Sequence, residues 1–249
     1  RTSAGLHSLV ANASYGVASK LISIGLRLVY VLALARLLGA ADYGLYVYAL
    51  SWYMIFMPLT NLGQDLDLGR AVGGRRPDAA RIVAATFTLR VYAAVVVMVG
   101  VLAAGWVLIP DGRGRMLVTL MALAVVPRAL AVLTQMVCLA HERSALILGQ
   151  EAAFRLLEAT LGIGVLLLGA EVWVVALMHL LSWTLQAASG VRMVRRRLLR
   201  FAFRLALPDW RTRIGAGLRV GFSRMLDGWL LNGPVVLYRQ LADDLDGLG

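Results

Sequence analysis

Apolar residues run through this chain in long, nearly unbroken stretches separated by short polar segments rich in arginine. A helix rising 1.5 Å per residue needs about 20 mostly apolar residues to cross the hydrocarbon of a bilayer. Seven stretches meet that length: Val17 to Leu38, Leu45 to Leu62, Ile82 to Ile109, Met116 to Ala140, Ala145 to Leu168, Val172 to Val191 and Val220 to Leu241. The pattern predicts an all-α, polytopic membrane helix bundle. It divides as an N-terminal lobe of about six helices over residues 1–197, a basic interfacial linker over 198–219 and a seventh helix over 220–249.

The connections alternate in charge. Arg70, Arg75, Arg76 and Arg81 follow the second stretch, Arg143 follows the fourth, and a dense group from Arg192 to Arg219 follows the sixth, whereas the intervening connections offer Arg36, Arg113 and Arg115. Lys and Arg concentrate in cytoplasmic loops. The expected orientation therefore places the N-terminus and the even-numbered connections on the cytoplasmic side. Composition agrees with a membrane protein: 60% of residues are hydrophobic, 16% are charged and the mean hydropathy is +0.75. A net charge of +11 could suggest nucleic acid, but these arginines sit between apolar stretches and not along one soluble face, which argues against it. The single cysteine, Cys138, allows no internal disulfide, and Cys138 with His141 lacks the second pair that a metal centre requires. No cofactor and no metal are expected.

Charges inside the stretches change the picture most. A cation at the centre of a membrane helix costs roughly 2.5 to 3.5 kcal/mol on insertion scales, against about 0.3 to 0.6 returned by each Leu or Ile. Lys20 and Arg27 lie seven residues apart in the first stretch, nearly two turns, and so point to one side. Glu151, Arg155 and Glu158 form an i, i+4, i+7 stripe on the fifth, either a self-neutralising structural cluster or a set that holds cavity cations and titrates during transport. Over the expected interior, Lys20, Arg27, Arg90, Arg128, Arg155 and Arg224 stand against Glu151, Glu158 and Asp227, although Arg90 and Arg128 could equally snorkel to an interface. Surplus fixed cations favour an anionic guest, with guanidinium forks matched to phosphate oxygens. Lys20, Arg27 and Arg155 are the candidate substrate-binding cations; Glu151, Glu158 and Asp227 are candidates for coupling or charge balance. Pro58, Pro127 and Pro234 could kink their helices.

The segment Ala35 to Gly44 (ARLLGAADYG), followed by Asn61-Leu62-Gly63 and Leu68-Gly69-Arg70, resembles the N-terminal half of the bacterial O-antigen and exopolysaccharide flippases, within the superfamily of multidrug exporters and lipid-linked oligosaccharide flippases. The resemblance implies two six-helix lobes around a cationic cavity and the translocation of an undecaprenyl-diphosphate-linked oligosaccharide, with no enzymatic step. It implies as partners the lipid-linked saccharide, membrane lipids, a glycan polymerase and chain-length proteins. A weak internal repeat fits it: Arg36, Leu38, Gly44 and Leu45 are echoed by Arg239, Leu241, Gly247 and Leu248. The seventh stretch then begins a second lobe, and the chain is expected to be part of a longer transporter. The alternatives are a drug or small-molecule exporter of the same superfamily, or a membrane-embedded glycan polymerase or acyltransferase. The cationic surplus opposes the first, and the short loops 110–115 and 169–171 oppose the second.

Overall fold

The computed structural model describes residues 2–74, 76–199 and 210–246. Eight α-helices follow one another among these residues, with no strand: α1 (Thr2–Phe56), α2 (Asp65–Gly73), α3 (Ala79–Leu108), α4 (Gly112–Leu123), α5 (Val125–Ala140), α6 (Ser144–Leu167), α7 (Val172–Arg197) and α8 (Trp210–Asp246). The first two expected spans are the two arms of α1. Gly39 interrupts it with φ 73° and ψ 175°, a conformation that glycine adopts without a Cβ penalty. The chain turns back there: Leu26 and Met54 line one cavity, whereas 28 residues of straight helix would separate them by about 42 Å.

Proline and capping chemistry place the other breaks. The fourth span is α4 and α5 joined at Ala124, because Pro127 has no N–H to give to the carbonyl four residues back. The Asp111 carboxylate caps α4 by accepting from the backbone N–H groups of Arg113 and Gly114 at 3.1 and 2.8 Å. Gly169, at φ 81°, closes α6 in a Schellman turn, with Gly169 N donating to Leu166 O and Ala170 N to Val165 O. The same pair of bonds closes α5, but there the left-handed residue is Glu142 at φ 56°. Pro58 is the second residue of a 3-10 turn over Met57–Thr60 that ends the second arm. The polar segment after it, read from sequence as a plain connection, contains the nine-residue amphipathic helix α2. Residues 200–209 of the expected linker lie outside the described residues, and by Trp210 the chain is already helical.

Among the described residues, four segments are long and apolar enough to cross a membrane: Ser14–Thr60, Ala79–Leu108, Gly112–Ala140 and Val172–Arg197. Helix α6, at 24 residues, also reaches about 36 Å, enough for a hydrocarbon core of about 30 Å. It carries Glu151, Arg155 and Glu158 at mid-length on a face turned inward. Large apolar side chains meanwhile cover the outside, among them Val96, Val107, Leu168 and Leu231, as a lipid-facing surface requires. The protein is a multi-pass membrane helix bundle.

Helix α1 packs on α6 and α8, and α5 on α7. Close approaches depend on small residues: a Cβ at Gly162 would overlap the Tyr30 ring, one at Gly190 the Thr134 hydroxyl, and one at Gly217 the Leu62 carbonyl. The connections sort to two ends. Gly73, Arg76, His141, Glu142 and Leu199 line one pocket, and Arg113 pairs with Asp42 at 3.2 Å at the opposite turns. The arginine-rich connections thus share one end of the bundle.

Candidate substrate cavity

A cavity of about 240 Å³ opens between both arms of α1 and helices α5, α6 and α7. The first arm contributes Ser23, Arg27 and Tyr30; the second contributes Tyr46 and Met54; α5 contributes Arg128; α6 contributes Glu151, Arg155 and Glu158; α7 contributes His179 and Trp183. The i, i+4, i+7 stripe read from sequence does turn one charged face of α6 into this space.

Both carboxylates are already engaged. Glu158 is buried; it pairs with Arg155 and accepts from His179 Nδ1 at 2.5 Å. Glu151 accepts from Gln135 Nε2 at 2.5 Å and Ser23 Oγ at 3.3 Å, with Arg155 Nε 3.8 Å away. Arg155 donates its other branch to Gln186 Oε1 at 3.0 Å, and its guanidinium carbon lies 4.2 Å from the Trp183 ring centre. Such a dense network holds Arg155 in one place and offsets the cost of removing it from water.

The remaining cations are held differently. Arg128 sits between two rings, 4.9 Å from the Tyr53 centroid and 5.0 Å from that of Trp183, with Nη1 3.3 Å from Met54 Sδ. Aromatic faces attract a guanidinium without neutralising it. Arg27 is exposed at the cavity wall, and among the described residues no carboxylate pairs with either Arg27 or Arg128. The lining therefore holds three guanidinium groups and two carboxylates, 3 − 2 = +1 with His179 neutral and +2 with it protonated. The polar hardware suits an oxyanion: two guanidinium forks without carboxylate partners, backed by a third that is fixed in position.

Not every residue expected from sequence lies here. Lys20 is exposed two turns before Arg27 and does not line the cavity. Asp227 and Arg224 are exposed on α8, also outside it. Arg90 is buried in a separate cluster, where Nη2 donates to Asp65 at 2.8 Å and to Asn61 at 2.7 Å. Conversely, His179, Trp183 and Gln186 were not singled out by sequence. Their i, i+4, i+7 spacing on the sixth span, one polar stripe facing another on the fifth, was the available signal.

A family profile described as polysaccharide biosynthesis protein matches residues 9–246. The chain belongs to that family. No curated protein matches it significantly in sequence. Among solved structures, this family member is similar to a MOP superfamily transporter from Pyrococcus furiosus, with a TM-score of 0.70 at 15% identity; the match covers 88% of this chain and 52% of the other. The likeness is one of fold, and the chain spans about half the length of that transporter.

Proposed function

We propose that this chain forms the substrate-handling half of a membrane exporter that flips an undecaprenyl-diphosphate-linked oligosaccharide across the bacterial inner membrane, for O-antigen, capsule or exopolysaccharide synthesis. The observation that carries the reading is the pair Arg27 and Arg128, two cavity guanidinium groups with no carboxylate partner among the described residues. An empty cavity with surplus cations is costly, and a diphosphate supplies the missing negative charge. Membership of the polysaccharide biosynthesis family points to a glycan as the cargo attached to it.

In this scheme the diphosphate docks against Arg27, Arg128 and Arg155, the saccharide occupies the aqueous space between two lobes, and the polyprenyl tail stays in lipid. The lobes then rock to expose the site on the other side. The arginine-rich end of the bundle is assigned to the cytoplasm, together with the N-terminus. Helix α8 opens the second lobe, and Lys20 and Asp227, exposed outside the cavity, act at the surface that meets the rest of the transporter. Glu151 and Glu158 balance charge and hold Arg155. A drug exporter for cations would need free carboxylates, and both cavity carboxylates are taken.

The test is complementation in cells lacking the transporter. Arg27→Ala and Arg128→Ala should each abolish surface polysaccharide while the protein still inserts in the membrane at normal abundance. Normal polysaccharide from both variants would overturn the reading.

A further inference from the structure

We infer that the groove between α6 and the last turns of α7 is a binding site for an anionic membrane phospholipid, distinct from the central cavity. The groove has a volume of about 900 Å³, with Phe154, Leu185 and Ala188 on its apolar part and Arg192, Arg195 and Arg196 on its cationic part. The arginines stand at i, i+3 and i+4, so one face of α7 carries all three, while Leu185 and Ala188 lie on that face one to two turns earlier. All three are exposed. Among the described residues no carboxylate lines the groove and none pairs with these arginines. The sequence that follows continues the excess, with Arg200 and Arg204 against a single acid, Asp209, before Trp210.

Two simpler roles account for part of this arrangement. Cations at a helix C-terminus complement its dipole, and arginines favour cytoplasmic connections generally. Neither role requires three of the four arginines in the last turns of α7 to converge on one groove, or the groove to be apolar on the side towards mid-membrane. A phospholipid presents the same two chemistries in the same order, acyl chains against Phe154 and Leu185 and a phosphodiester against the guanidinium forks. A water-soluble anion would leave the apolar wall uncovered, and a zwitterionic lipid would bring its own cation to three others. The seat is separate from the cavity because Arg155 and Gln186, neighbours of Phe154 and Leu185, point to the opposite side of the α6–α7 seam, where they bond to each other at 3.0 Å.

Lipid retention tests the assignment independently of transport. The full protein, purified in a neutral maltoside and supplied with equal phosphatidylglycerol and phosphatidylcholine, is examined by native mass spectrometry. The wild type should retain phosphatidylglycerol about tenfold over phosphatidylcholine, and the triple variant R192Q/R195Q/R196Q should retain the two about equally. The triple lysine variant should keep most of the preference, which separates loss of charge from loss of fold. The cavity variant Arg27→Gln should keep all of it. No preference in the wild type, or a preference that survives the glutamine variant, overturns the site. Undecaprenyl phosphate outcompeting phosphatidylglycerol in an Arg192-dependent way also overturns it, by giving the groove to the substrate lipid.

Discussion

Two cationic regions of this bundle, the buried Arg90 cluster and the open central cavity, are built on opposite plans. Arg90 is 1% exposed and held by one carboxylate and one amide: Asp65 at 2.8 Å, with Asn61 Oδ1 at 2.7 Å and Asn61 Nδ2 bracing Asp65 at 2.5 Å. Charge closes on itself there, and the site joins α3 to the start of α2. In the cavity the carboxylates are engaged first, by Arg155, His179, Gln135 and Ser23, so that Arg27 and Arg128 are left without a carboxylate partner among the described residues. Balanced charge locks helices together, whereas a surplus beside an open space asks for a guest. Energetically the two plans should part when single residues are removed: a lock loses stability, and a surplus cation loses function.

The largest effect on stability is expected from Asp65→Ala, which leaves Arg90 buried without a counter-ion. Thermal unfolding in detergent should show a loss of about 3 to 5 kcal/mol, and Asp65→Ala combined with Arg90→Met should recover much of it. Glu158→Gln should cost less, about 2 kcal/mol, because the cavity admits water and Gln can still accept from Arg155; combining it with Arg155→Gln should give less than the sum of the single losses in a double-mutant cycle. Arg128→Ala removes two ring contacts and should change stability by only about 1 kcal/mol while export fails. At the small end, Glu142→Gly relieves a left-handed non-glycine residue at the end of α5 and should stabilise by about 0.5 to 1 kcal/mol in the same unfolding assay.

The spans were legible because membrane helices are written in hydropathy and length, and the stripe on α6 because charges at i, i+4 and i+7 fall on one helix face whatever their role. Depth was harder. Seven residues do bring Lys20 and Arg27 to one side of the first arm, but they also separate them by about 10 Å along its axis, which carries Lys20 out of the cavity that Arg27 lines. Helix α2 was missed because its nine residues are amphipathic and polar, with no long apolar run. Arg90 was ambiguous between interior and interface because its partner Asp65 stands 25 residues earlier, in what read as a loop; spacing along one helix cannot announce a pair between two elements. Arg128 was ambiguous between interior and interface for the same reason, since Tyr53 and Trp183 arrive from α1 and α7.

Whether the surplus cations bind a lipid diphosphate is measured most closely by direct binding. Purified protein titrated with undecaprenyl diphosphate should bind with an affinity that falls as salt rises, and Arg27→Ala with Arg128→Ala should raise Kd by at least about tenfold, or 1.4 kcal/mol, while the unfolding temperature stays within a few degrees of wild type. Unchanged affinity in that double variant, with the fold intact, would contradict the claim that this cavity is the anion site.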